Sequence, residues 1–307
     1  MGRLCTRVPI YNTFGTSSII FALLYLIMVS IEPVNTNNLQ EVALFLKKSD
    51  LVYRHLDWHT PTEWLEYPAF LVLREDYQLS ALISCAPEIN EAAWIRVFAS
   101  KHHRDYEEDF ISLVNSASFI LNEKHVNELA CLVLNDWIEP ILISAGFNSE
   151  IAVVTLIWKE LPINNLLISN SDLIIRKMMQ RDLETVNLLD NTAFPPLWQN
   201  SLPSINKSYN LSFYNTVALI KGEIVGYQIS TISFDGAHIA RLATRCDFKR
   251  QGIATTLLSN LIAHFQDLGM MKITVNTQSN NLASLNLYKK LGFLQTGDKI
   301  KVYTKML

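Results

Sequence analysis

The stretch IARLATRCDFKRQGIATTLL, Ile239–Leu258, decides how this chain is read. With His238 added, its first half is a short apolar-rich run bounded by turn residues, which predicts a strand over His238–Thr244. A basic turn follows, Lys249-Arg250-Gln251-Gly252, and then a helix. Ile253, Leu257, Leu261, Phe265 and Leu268 fall on one helical stripe, and Gly269 is placed to end it. A helix start exposes backbone N–H groups and the positive end of the helix dipole, both suited to a phosphate. Gly252 has no Cβ, so the backbone there can approach a ligand closely. Lys249 and Arg250 stand where cations are unfavourable unless an anion joins them. A solvated basic loop before an ordinary helix is the plainer alternative.

The second informative stretch is NTQSNNLASLNLYKKLGF, Asn276–Phe293. Asn281, Ser284 and Tyr288 share one helical face, and Ala283, Leu287 and Leu291 form a neighbouring apolar stripe expected to face a sheet. Lys289 and Lys290 lie in the last turn, with Gly292 as the left-handed cap.

The chain also repeats itself. VSIEPVNTNNLQEV (Val29–Val42) matches LIIRKMMQRDLETV (Leu173–Val186), with Ile31 under Ile175, Asn38 under Asp182, Leu39 under Leu183 and Val42 under Val186. AWIRVFAS (Ala93–Ser100) matches HIARLATR (His238–Arg245), putting Arg96 under Arg241. LNDWIEPILISAGF (Leu134–Phe147) matches NNLASLNLYKKLGF (Asn280–Phe293), putting Leu142 under Tyr288 and Gly146 under Gly292. Three matches in order imply two tandem copies of one α/β module, over 29–160 and 172–307. The Pro- and Asn-containing stretch 161–171 then serves as connector.

These two motifs resemble the acyl-CoA-binding and catalytic segments of the GNAT family of N-acetyltransferases. That family follows Q/R-x-x-G-x-G/A, and here the pattern reads Lys249 to Ala254, with Lys in the first position and Cys246 where many relatives carry proline. The resemblance implies a mixed, mostly antiparallel sheet, splayed in the middle and layered with helices, in each of two modules. It implies acetyl-CoA as acyl donor, a primary amine of a small molecule or protein as acceptor, and no metal. Donor contacts are then expected at Leu242, Ala243, Thr244, Lys249, Arg250, Gln251, Gly252, Ile253, Ala254, Thr255, Asn281 and Ser284. Tyr288 is the implied general acid, protonating the departing CoA thiolate, and amides near Leu242–Thr244 the implied oxyanion donors. No base is singled out. Some relatives carry a glutamate where Ile239 stands, and His238, Asp235, Asp247 and an ordered water remain open.

The first copy reads differently. HRDYEE (His103–Glu108) replaces the phosphate turn with carboxylates and has no glycine, so this copy is expected to be degenerate and to buttress the other or shape the acceptor cleft. Phe194–Trp198 (FPPLW) is a candidate rim of that cleft, and Trp58, Trp64, Trp94 and Trp198 read as core or cleft lining. A non-catalytic acyl-CoA sensor or scaffold is the competing function.

Composition sets the remaining bounds. At 307 residues, 49% hydrophobic and 18% charged, the chain can build a sizeable core and favours two domains. A net charge of −3 gives no basic excess for nucleic acid. Cys5, Cys85, Cys131 and Cys246 form no CxxC pair, which argues for a reducing cytoplasm. Residues 1–28 form an apolar leader. Val8–Ile31 carries no formal charge, but its strictly apolar run, Ile19–Val29, is shorter than the roughly 20 residues of a spanning helix. Three readings stand: an upstream extension before a true start at Met28, a membrane anchor, or a segment packed on the domain. Oligomeric state is not encoded in any of these features.

Overall fold

The computed structural model describes residues 5–6, 28–89, 91–101, 106–159 and 172–307. Most of the leader, the acidic-turn residues His103, Arg104 and Asp105, and the connector 161–171 lie outside the described residues. A two-residue strand, β1 (Cys5–Thr6), precedes two runs of elements in the same order. The first run is β2 (Met28–Pro33), α1 (Leu39–Lys48), β3 (Leu51–Arg54), β4 (Phe70–Glu75), β5 (Gln78–Ile89), β6 (Ala92–Ser100), α2 (Tyr106–Glu123), β7 (Glu128–Leu132), α3 (Ile138–Ser144) and β8 (Asn148–Lys159). The second is β9 (Leu173–Lys177), α4 (Leu183–Ala193), α5 (Leu202–Leu211), β10 (Tyr214–Ile220), β11 (Glu223–Ser233), β12 (Gly236–Thr244), α6 (Ile253–Asp267), β13 (Lys272–Gln278), α7 (Leu282–Lys290) and β14 (Leu294–Met306). β3, which pairs with β6, has no strand counterpart in the second run, where α5 stands instead.

Local chemistry repeats with the elements. Asn38 accepts from the Asn35 amide, and Asp182 accepts from the Met179 amide, so the same backward cap opens α1 and α4. Arg96 in β6 and Ala240 in β12 are each the extra residue of a bulge against the preceding strand. Arg96 therefore stands over Ala240, one residue out of the register in which the sequence sets it over Arg241. At the far end the sequence register holds. Phe147 N bonds Leu142 O, and Phe293 N bonds Tyr288 O, so Leu142 does occupy the place of Tyr288.

The strands form one sheet in the order β1-β2-β4-β5-β6-β7-β14-β8-β13-β12-β11-β10-β9. Pairing is antiparallel except for β6 with β7 and β12 with β13. Helices cover both faces. α2 and α3 bury Phe110, Leu113, Val114, Ile138 and Leu142 against one side of the first half. α1 buries Val42, Phe45 and Leu46 against the other. In the second half α6 and α7 pack on Ile239, Ile273 and Val275, while α4 and α5 pack on Val217, Tyr227 and Ile229. Full burial of Leu257, Leu258, Leu261 and Phe265 contributes about 1.5–3 kcal/mol per side chain.

The two copies are interlocked at the seam. β8 ends the first copy yet pairs with β13 of the second, Trp158 opposite Ile273. β14 ends the second copy yet pairs with β7 of the first, Tyr303 opposite Cys131. β8 and β14 also pair with each other. Each copy thus completes its sheet with the other's last strand. Among the described residues no helix is long and apolar enough to cross a membrane.

Residues 172–307 expressed alone would expose the β13 edge and leave β14 without β7. They should aggregate or self-associate in size-exclusion chromatography, whereas the two halves expressed as separate chains should co-purify one to one. A well-behaved monomeric half would contradict the exchange.

Candidate active site

β12 and β13 pair only over Ala237–Ile239 and Ile273–Val275. Beyond Ile239, β12 keeps β11 but loses β13, and the sheet opens. Two hollows meet at that opening. One, of about 1020 Å³, is a groove between the starts of α6 and α7. The other, of about 610 Å³, is a cleft walled by both halves of the chain. Leu242, Asn281, Ser284, Phe194, Trp198 and Gln278 line both.

The groove gathers most of the residues the sequence singled out: Leu242, Ala243, Thr244, Lys249, Arg250, Gly252, Ile253, Ala254, Thr255, Asn281 and Ser284. Gly252 takes φ +83° as the cap residue of α6, and Arg250 before it takes φ +63°. No side chain caps α6, so its first amides open on the groove. Among the described residues the buried Thr244 hydroxyl has no partner, the kind of orphan a bound ligand would satisfy. Among the described residues Lys249 and Arg250 form no ion pair. An extended anionic molecule fits this donor set.

Two of the expected donor contacts have further placements to note. Gln251 does not line the groove; it is exposed and its amide reaches back to the Asp247 carbonyl, because the left-handed turn at 250–252 carries it outward. Asn281 lines the groove, but its side chain is engaged in capping α7, accepting from the Ser284 amide at 3.2 Å.

The faces of α7 also differ from the sequence reading. Tyr288, set there on a polar face, is 4% exposed and packs with Leu258, Ile262 and Phe293. Leu285, Tyr288 and Leu291 pack on the sheet-side core, Ala283 lines the groove, and Leu287 touches both. Tyr288 still lines the cleft, and burial raises its phenol pKa, keeping it protonated.

His238 lines the same cleft from β12. Ala237 and Ile239 point into the α6–α7 core, so alternation sends His238 to the opposite face of the sheet. Its Nδ1 lies 2.9 Å from the Thr274 hydroxyl. Thr274 can donate its own proton to the Ala237 carbonyl. With its proton on that carbonyl the hydroxyl oxygen accepts from Nδ1–H and Nε2 is the basic nitrogen, whereas with the proton turned to Nδ1 the two roles reverse. Burial lowers the His238 pKa, so the ring is neutral at neutral pH. Of the other base candidates, Asp235 is exposed and pairs with Lys272, Asp247 is exposed and pairs with Arg245, and Ile239 has no proton chemistry.

The loop 194–201 closes the cleft and is held from both halves. Arg241 binds Asp190 through two hydrogen bonds of 2.7 and 2.9 Å, donates to the Trp198 carbonyl and lies over the Phe194 ring. Asp190, fully buried, also accepts from Tyr227 and from the Asn200 amide. From the first half, Trp94 Nε1 donates to the Leu197 carbonyl at 2.8 Å, and Glu88 accepts from the Ser201 amide and from the Ser201 and Ser204 hydroxyls. The sequence pointed to the FPPLW rim but not to these anchors.

In the first half, α2 and α3 stand where α6 and α7 stand in the second. Tyr106 at the start of α2 and Trp137 at the cap of α3 meet edge to face at 6.1 Å. Among the described residues no group of three or more His, Cys, Asp or Glu side chains could hold a metal.

Comparison with known proteins agrees with this architecture. The Acetyltransferase (GNAT) family model matches residues 183–293. The [ribosomal protein bS18]-alanine N-acetyltransferase of Salmonella typhimurium is 24% identical over 120 residues, covering 36% of this chain and 81% of that one. The N-alpha-acetyltransferase of Sulfurisphaera tokodaii is 30% identical over 101 residues, 28% of this chain and 59% of that one. A GCN5-related N-acetyltransferase from Anabaena variabilis superposes with a TM-score of 0.66 at 11% identity, over 91% of this chain and 72% of that one. A tandem GNAT protein from the clavulanic acid biosynthesis pathway superposes at 0.55 with 13% identity, over 91% and 98%. Residues 183–293 thus carry a domain of the GNAT acetyltransferase family, and the chain is built as two modules of that fold.

Asp190→Ala would leave Arg241 buried without its partner and should destabilise the protein by about 3–5 kcal/mol, read as a lower urea midpoint. A loss below 1 kcal/mol would show the network to be incidental.

Proposed function

We propose that this protein transfers the acetyl group of acetyl-CoA to a primary amine of a small molecule or protein, with catalysis in residues 172–307. The observation that carries this reading is the meeting of an anion-suited groove and a two-sided cleft at one opening in the sheet, with Tyr288 on one face and His238 on the other. Lys249, Arg250 and the first amides of α6 hold the diphosphate of the donor. The pantetheine arm runs past Ser284 toward Leu242. The β12 amides freed by the opening bind the thioester oxygen and stabilise the oxyanion.

The acceptor enters from the cleft. Its nitrogen lone pair attacks the thioester carbon while His238 Nε2 takes a proton from that nitrogen. The C–S bond then breaks, and the Tyr288 hydroxyl protonates the departing thiolate. Acid and base thus stand on opposite sides of the plane through which the acyl group passes. Leu142 in place of Tyr288, and the Tyr106–Trp137 contact in place of the groove, support a first module without a donor site. Cys85 and Cys131 are free thiols, in keeping with a cytoplasmic location.

Tyr288→Phe should lower turnover by about 10²–10⁴ with unchanged acetyl-CoA affinity, measured by CoA release and calorimetry. Unaltered turnover would remove this residue from the mechanism. Calorimetry should also count one acetyl-CoA per chain; two would restore the first module as a donor site, and binding without CoA release from any amine would favour the sensor reading.

The depressed His238 pKa places its acid limb in kcat below the ordinary histidine value of 6.5. Activity should therefore hold at neutral pH and fall only on further acidification. His238→Gln should abolish that limb and lower kcat by about 10²-fold, and an unchanged profile would exclude His238 as base.

A further inference from the structure

Strand order divides the cleft into three parts. Its floor is apolar, made by Leu132 of β7, Ile300 of β14 and Val153 of β8, which lie side by side in the sheet. On one side of the floor stand β13, β12 and α7 with the reacting residues. On the other stand β5, β6 and the segment after β3, all from the first half. Five strand intervals of about 4.8 Å separate β6 from β12, which carries His238, so the two walls are at most about 24 Å apart. A cavity of about 610 Å³ is of the size that takes one small organic molecule.

The far wall carries an unbalanced charge. The Arg96 guanidinium binds both Asp57, at 3.0 Å, and Glu88, at 3.1 Å, and all three side chains are under a tenth exposed. Burial pushes the Glu88 carboxyl up, but Arg96 and the serine hydroxyls outweigh it and hold it ionised. One cation thus faces two carboxylates, leaving a net negative charge away from water, which is costly until a cation joins it. Glu88 is already satisfied by Arg96 and by Ser201 and Ser204. Asp57 has fewer partners: among the described residues it accepts from Arg96 and from the His59 amide.

A second, independent observation lies beside it. His55 Nδ1 is buried in the cleft wall and has no partner among the described residues. Burial, with Arg96 nearby, depresses its pKa and keeps the ring neutral, so it is able to receive a donor. Trp58 and Trp94 complete the corner, with His55 against Trp94 at 4.8 Å between ring centres. Aromatic faces beside a carboxylate and a neutral imidazole form a surface for a cation with N–H donors.

Resting on the acetyl-transfer reading, we infer that the acceptor is a small amine bearing a second cationic group at the far end of an apolar body. The reacting nitrogen lies between His238 and Tyr288. The body crosses the floor, and the second ammonium or guanidinium group docks on Asp57 and His55 against Trp58. The first module, without a donor site of its own, supplies the part of the enzyme that selects the acceptor.

The test is calorimetric titration of the full-length protein with α,ω-diamines of graded chain length and with monoamines of equal carbon count, beside a CoA-release assay. One diamine length should bind at least tenfold tighter than its monoamine, and Asp57→Asn should remove that preference. Should Asp57→Asn misfold, Trp58→Ala provides the second variant and should also weaken the diamine. Equal affinity for diamines and monoamines, a preference that survives both substitutions, or a peptide amine that outbinds every diamine would overturn the inference. Selective diamine binding without CoA release would sink the acetyl-transfer reading and leave the subsite standing. CoA release from monoamines and diamines alike, with no binding preference, would do the reverse.

Discussion

The pairing of β8 with β14 is the interaction on which the rest of the molecule depends. It joins two half-sheets into one and fixes the angle between the modules through backbone hydrogen bonds, so no hinge between them is needed. The same two strands, with β7, provide the apolar ground between the charged wall and the wall that carries His238 and Tyr288. Side-chain contacts then lock loop 194–201 from both directions. A cleft assembled this way has its width set by strand spacing, which is among the least adjustable dimensions in a protein.

That rigidity suits the chemistry. In the proposed reaction the thioester presents its carbon to a nitrogen arriving from one face while its sulfur leaves toward the other. A sheet that opens between β12 and β13 gives access to both faces at a single point. His238 and Tyr288 need not move relative to each other, because one sits on a strand and the other is wedged into the core beneath α6. Their protonation states follow from position. Both are desolvated, which holds the imidazole neutral and the phenol protonated, the forms that the proposed base and acid roles require.

Much of this was legible in the sequence because local chemistry determined it. The left-handed glycine at 252, the uncapped helix after it and the stripe of Ile253, Leu257, Leu261 and Phe265 are short-range features. So is the repeated strand, cap and helix opening each copy. What remained hidden depends on partners distant in the chain. β8 and β14 read as strands whichever neighbour they take, so nothing in their residues announces the exchange. Thr274 reaches the His238 ring only through the pairing of β12 with β13. Tyr288 occupies the buried side of α7 because that helix lies over a splayed sheet, which a helical wheel does not represent. Gln251 turns outward because Arg250 before it and Gly252 after it both take positive φ. The bulge that sets Arg96 over Ala240 is likewise invisible to residue matching.

The interlocked strands also bear on how the polypeptide is made. While a ribosome is still translating the second copy, the first has an open edge at β7, since the strand that covers it is encoded more than a hundred residues downstream. Vectorial synthesis therefore cannot finish one module before starting the next. The nascent chain carries an unprotected edge through most of its elongation, and acquisition of the native state is a single late event shared by both copies.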